Sequence, residues 1–172
     1  AFSSFTGIHQ TETIEIYDTS SIAGSHIVCG MVVCKNGELQ KSRYRRFKIE
    51  KTLGNDDTAY MKEAVSRRLK RFLAGDEKFS PLPDLILCDG GLGQVHAVMA
   101  AVQEAGLVIR VAGLKKDSRH RTKSFVYEDG RELLLAKNHE AHTFCGRLQE
   151  EVHRYSIDYH RKLRDSFSQQ SE

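Results

Sequence analysis

Three aspartates stand where a folded domain has little structural use for a charge. Asp18 ends a stretch, 13–18, in which residue types alternate, and it shares a face with Ile14 and Ile16. Asp89 closes the continuous apolar run Leu85-Ile86-Leu87-Cys88, and open α/β sheets bind ligands at the carboxyl ends of such strands. Asp57 lies in the first turn of an amphipathic helical pattern, beside the stripe that begins at Met61. A buried carboxylate without a partner is strongly disfavoured or takes up a proton, so each of these acids needs a counter-charge. Gathered at one end of one sheet, they share an obvious partner in a divalent cation. Mg²⁺ and Mn²⁺ prefer hard oxygen ligands and support in-line phosphoryl chemistry. Singly, two of these acids have plainer readings, Asp57 or Asp56 as a helix cap and Asp89 as a turn former before two glycines, whereas Asp18 on an apolar face is the hardest to explain structurally. Their common location favours a site.

Other features bear on that chemistry with less force. Among eight histidines, His153 adjoins Val152 on the last helical stripe. His142 and His160 occupy similar faces, and the pattern does not choose among the three. Gly90-Gly91-Leu92-Gly93-Gln94 lacks the Lys-Ser/Thr of a phosphate loop and reads as a tight strand-to-helix turn. The cations are clustered. Arg43, Arg45, Arg46 and Lys48 share a strand, with Lys51 beyond it. Arg67, Arg68, Lys70 and Arg71 form what looks like a solvated helix face. Lys115, Lys116, Arg119, His120, Arg121 and Lys123 make the densest group, on a loop, and Arg154 decorates the last helix. A basic loop beside an acidic metal centre suits a nuclease, because cations hold the phosphate backbone while the metal acts on the scissile bond.

The elements that must position these residues follow from periodicity and turn signals. The length of 172 residues suits one domain, and 40% hydrophobic content is enough for a core. No apolar run is long enough for a membrane helix, and no signal peptide opens the chain. The net charge of +3 neither demands nor excludes a polyanion. Cys29, Cys34, Cys88 and Cys145 form no metal or disulfide spacing and suit a reducing cytoplasm. Residues 13–18, 26–35 and 41–49 read as three antiparallel strands, with a turn at 20–25 and Asn36-Gly37 as a hairpin signal. A helix with Met61, Val65, Leu69 and Phe72 follows. Strand 85–88, a helix with Val95, Val98, Met99 and Val102, and strand 107–112 come next. A second hairpin turns at Asp129-Gly130, and a long helix spans about 140–164. That order predicts an α/β fold, an RNase H-like mixed sheet with an extra hairpin and a long C-terminal helix. Residues 1–12 are expected to be a leader or upstream linker, 13–165 the domain and 166–172 a frayed tail.

Several motifs then appear in order: Tyr17-Asp18-Thr19-Ser20-Ser21-Ile22-Ala23-Gly24, Tyr44-Arg45-Arg46-Phe47, Asn55-Asp56-Asp57, Pro83-Asp84-Leu85-Ile86-Leu87-Cys88-Asp89-Gly90-Gly91, His153-Arg154 and His160-Arg161-Lys162-Leu163-Arg164. Together they resemble the C-terminal endonuclease domain of UvrC, the incision subunit of the bacterial excinuclease. The resemblance implies an RNase H-like endonuclease that uses a divalent metal to cut DNA 5′ to a lesion. It implies catalytic roles for Asp18, Asp89 and His153, with these three at the metal and Asp57, with Asp56 as its alternative, as a further acid. The basic clusters supply the expected DNA contacts: Arg45, Arg46, Lys115, Lys116, Arg119, Arg121, Lys123 and Arg154. Damaged duplex DNA and, through the full-length protein, UvrB are the implied partners of a monomeric domain in the bacterial cytoplasm. Ser21, Ala23 and Leu92 depart from residues common in the family, which leaves the local loop contacts open. The length suggests an excised domain, without the family's other nuclease, UvrB-binding and helix-hairpin-helix parts. A non-catalytic RNase H-like module that binds DNA or protein is the alternative.

Overall fold

The computed structural model describes residues 2–21, 26–50 and 56–170, with side chains through residue 158. Strand β1 (Thr13–Ser21) pairs antiparallel with β2 (His26–Lys35). The turn after β2 is closed by Asn36 and Gly37, whose φ values of 51° and 81° meet the left-handed demand of a two-residue hairpin. The returning strand differs from the expected single run 41–49. Strand β3 (Glu38–Leu39) is brief, a 3₁₀ turn spans Lys41–Arg43, and β4 (Arg45–Glu50) rejoins β2 with Phe47 opposite Cys29. Ser20 and Ser21, expected in the turn at 20–25, instead continue β1, and the rest of that turn, 22–25, lies outside the described residues with Lys51 and Asn55.

Helix α2 (Asp57–Leu73) is capped by Asp56, whose carboxylate accepts from the Thr58 amide at 3.1 Å. Strand β5 (Leu85–Asp89), helix α3 (Leu92–Glu104) and strand β6 (Arg110–Lys116) complete a βαβ unit parallel to β1. Strands β7 (Thr122–Val126) and β8 (Glu132–Leu134) extend the sheet antiparallel, and α4 (His139–Gln170) closes the chain. The eight-stranded mixed sheet runs β3-β2-β1-β5-β6-β7-β8, with β4 also on β2. Among the described residues no helix is long and apolar enough to cross a membrane.

The sheet has a core on each face. Tyr17, Ile86 and Cys88 pack under α2 and α3, whereas Ile14, Ile16, Leu85 and Leu87 pack under α4. Helix α1 (Phe2–Thr6) belongs to the second core, where a leader was expected. Its Phe2 ring meets Phe125 and Phe144 edge-on at 5.9 and 5.2 Å, and Ile8 is buried. The helix α4 also runs on to Gln170, past the point where a frayed tail was expected.

Arg68 does not lie on a solvated face. It is 1% exposed, and its guanidinium donates to both oxygens of the fully buried Glu15 at 3.0 and 2.8 Å. The Tyr17 hydroxyl donates to Glu15 Oε1 at 2.8 Å, and Arg68 also donates to the Pro81 carbonyl at 3.0 Å. Strand β1 is central and covered on both faces, so the alternation that placed Glu15 away from the apolar side did not place it in water.

Candidate active site

Strands β1 and β5 pair in parallel up to Tyr17 opposite Cys88, so Asp18 and Asp89 stand one step beyond that rung. Their side chains follow the two-residue period of Ile16 and Leu87 and face α4. Across the antiparallel ladder Asp18 lies opposite Gly30. A Cβ built at Gly30 would stand 2.4 Å from Ser156 Oγ and 3.3 Å from Tyr155 Cδ2, so α4 crosses the sheet here only because Gly30 lacks one. That close crossing brings His153 onto Asp18, with Nδ1 3.3 Å from Oδ2. The His153 side chain is 55% exposed and that of Asp18 only 11%, so the histidine rims the site and the aspartate forms its floor. The Asp18 carboxyl is pushed up to about 7 by burial first and then by the Asp89 charge. The His153 hydrogen bond and charge, and the Lys116 ammonium, oppose that rise.

Asp89 is gripped at both oxygens. Gln149 Nε2 donates to Oδ1 at 2.8 Å, and Lys116 Nζ lies 3.2 Å from Oδ2. Lys116 was expected on a basic loop, but it belongs to β6, which starts later than predicted and keeps Lys115 and Lys116 within the strand. Pairing with β5 sets Leu114 opposite Asp89, and Lys116 follows two residues on, on the same face. The loop itself is 117–121, closed by Asp117, whose Oδ1 accepts from the Arg119 and Arg121 amides at 2.9 Å each. The predicted residues Asp18, Asp89 and His153 are therefore brought together. Asp57 is not part of that group: it opens α2, exposed, on the face opposite α4. The start of α2 does lean on that of α3, where a Cβ at Gly93 would sit 3.5 Å from Thr58 Cγ2.

The donor set suits a hard cation, though not as a closed cage. Among the described residues no group of three or more His, Cys, Asp or Glu side chains converges closely enough to hold a metal. What the site offers is two nearby carboxylates, one of which burial and its neighbour hold toward the neutral form, with a lysine ammonium already against the other. A cation held by these carboxylates would relieve that repulsion.

The predicted DNA contacts divide by position. A cleft of about 670 Å³ opens beside Asp89, lined by Lys116, His120, Arg121, His142, Arg147 and His153 among others. Lys123 is exposed on β7, and Lys115 sits 3.6 Å from Glu132. Arg45 is turned to the fold, donating to the carbonyls of Tyr44 and Lys78 at 2.8 and 3.0 Å. Arg46 lies over the Tyr155 ring at 3.7 Å, and Arg154 pairs with Glu151 and Asp158 along α4 at 2.7 and 3.0 Å. The sequence reading missed Gln149 and Arg147. Gln149 could have been found as a polar residue on the buried stripe of Cys145, Leu148 and Val152.

A mixed sheet opening with an antiparallel meander, with acids on the adjacent first and fifth strands just beyond their last parallel rung, defines an RNase H-like α/β domain. The fold matches that of an endonuclease V from Ciona intestinalis solved with an inosine-containing DNA, at a TM-score of 0.57 and 12% identity over 88% of this chain and 86% of that one. It also matches human ENDOV, at 0.56 and 11% over 88% and 85%. At the level of sequence, residues 4–157 match the UvrC RNase H endonuclease domain, and the chain belongs to that family. It is 40% identical over 170 residues to UvrABC system protein C of Finegoldia magna, covering 97% of this chain and 28% of that protein. It is 42% identical over 170 residues to that of Alkaliphilus oremlandii, covering 92% and 27%.

Proposed function

We propose that this domain is a divalent-metal-dependent endodeoxyribonuclease acting in nucleotide excision repair. It would hydrolyse a phosphodiester 5′ to a lesion in the damaged strand. The observation that carries the reading is the convergence of Asp18, Asp89 and His153 where the central strands β1 and β5 part under α4, beside a basic cleft. Asp18 and Asp89 would hold Mg²⁺ or Mn²⁺, with His153 as a further ligand or as a proton-transfer group. Such a cation supplies Lewis-acid stabilisation of the phosphate and a more acidic water. His153 is exposed enough to reach substrate while its Nδ1 remains oriented by Asp18, which leaves Nε2 to move a proton to or from an oxygen. Lys115, Lys116, Arg119, Arg121 and Lys123 would hold phosphates near the cleft, and Arg45, Arg46 and Arg154 would supply contacts farther along β4 and α4. Asp57 would contribute as an accessory acid from the α2 terminus.

Damaged duplex DNA and UvrB would be met through a longer protein, in the bacterial cytoplasm, with the domain itself a monomer. The test is a nicking assay on damaged duplex with Mg²⁺ or Mn²⁺, using the full-length protein and its partners. Asp18→Asn and Asp89→Asn are each expected to lower the 5′ cut at least about a hundredfold. Undiminished cutting by either variant sinks the assignment and leaves a binding module as the reading.

A further inference from the structure

The two contacts on Asp89 are of different kinds. Gln149 is 2% exposed, and its Nε2 donates both to Asp89 Oδ1 at 2.8 Å and to the Leu114 carbonyl at 3.0 Å. Its Oε1 accepts from the Thr122 hydroxyl. These partners decide which way the amide points, because a flipped amide would set its oxygen against two acceptors, Asp89 and Leu114. Helix α4, strand β6 and strand β7 thus meet β5 at one buried amide. The contact at the other oxygen is looser. Lys116 is a flexible side chain, 30% exposed, on the wall of the cleft.

We propose that Gln149 is a positioning residue for Asp89. It commits Oδ1 to the buried amide and leaves Oδ2 as the oxygen offered to a cation, with the Lys116 ammonium as a displaceable counter-charge. The proposal rests on the reading of Asp89 as a cation ligand. A carboxylate at a strand end rotates broadly about its last torsion, and a fixed donor on one oxygen removes that freedom. Groups that orient a ligand in this way commonly account for about ten- to a hundredfold in metal affinity. Lys116 acts in the opposite sense, since its positive charge competes for the same oxygen. A purely packing role for Gln149 makes a different prediction: loss of stability with no change in cation affinity.

The test is titration of the purified chain with Mn²⁺, without DNA, followed by calorimetry, with thermal melting of each variant alongside. Gln149→Leu, close in volume, is expected to weaken Mn²⁺ binding about tenfold, and Lys116→Met to tighten it about threefold. A folded Gln149→Leu that binds Mn²⁺ as the parent does overturns the proposal. If that variant fails to fold, Thr122→Val decides, because it keeps the amide and removes one of the three partners that orient it. A loss of about two- to fivefold is expected there, and unchanged affinity overturns the proposal. Asp89→Asn separates the two levels. Equal Mn²⁺ binding by Asp89→Asn and parent defeats the reading of Asp89 itself. A loss in Asp89→Asn without one in the Gln149 and Thr122 variants defeats only the positioning role.

Discussion

Burial and the neighbouring Asp89 carboxylate hold the Asp18 carboxyl at about 7, so near neutrality the metal-free protein keeps a proton there much of the time. In the unfolded chain the same group titrates near 4. The charged form is therefore disfavoured only in the folded state. Above pH 7 stability carries that penalty in full. As the pH falls from 7 toward 4 the folded state takes up its proton first and the penalty is relieved, until both states are protonated. Asp18→Asn is accordingly expected to stabilise the metal-free domain at pH 8 by up to about 3 kcal/mol, raising its melting temperature by several degrees. The variant should also lose the gain in stability that the parent shows between pH 8 and pH 6. A variant that melts below the parent at pH 8 contradicts this account. The same substitution is expected to abolish nicking, so stability and activity part company at this residue, as they do where function requires a buried charge.

Between elements, two close approaches set the site's geometry. Helix α4 meets β2 at Gly30, and a single methyl there would strike Ser156 Oγ. Gly30→Ala is expected to cost about 1–3 kcal/mol in urea unfolding and to cut nicking about tenfold by moving His153 off Asp18. Adding Ser156→Ala should restore most of both, since a Cβ at Gly30 clears the Ser156 Cβ at 3.6 Å. Helix α2 is tied to β1 by Arg68 and Glu15, and Arg68→Met leaves a buried carboxylate without its counter-charge. A loss of about 3–5 kcal/mol is expected, and Glu15→Gln in the same chain should recover at least half of it, because the amide still accepts from Tyr17. These contacts show what periodicity can and cannot reveal. Alternation along β1 put Asp18, Ile14 and Ile16 on one face, and that reading holds. It also left Glu15 on the other face with no hint that α2 covers it. Arg68 looked like one cation among four on a helix, because only the docking of α2 tells the buried one from its neighbours. Strand β6 began later than its apolar residues suggested, because its register is imposed by β5 and not by its own sequence.

At the scale of the whole molecule the charges sort into a floor and a wall. Carboxylates form the floor of the site, and the cleft beside it is lined by Lys116, His120, Arg121 and Arg147. Arg147→Ala is expected to weaken binding of duplex DNA and to reduce the slope of log affinity against log salt by about 1, as measured by titrations at several salt concentrations. An unchanged slope would remove Arg147 from the phosphate track. By itself the sequence determined the order of the main strands and helices, the two acids of β1 and β5 and the family, because strand alternation, turn residues and contiguous motifs are local signals. The tertiary structure decided the partners of those acids. It carried Lys116 and Gln149 to Asp89, His153 to Asp18 and Arg68 to Glu15, pairs separated by long stretches of chain. Such pairs depend on sheet register and helix docking, and no local pattern encodes either. The near-neutral net charge of +3 therefore conceals an acidic floor and a basic wall that only folding sets side by side.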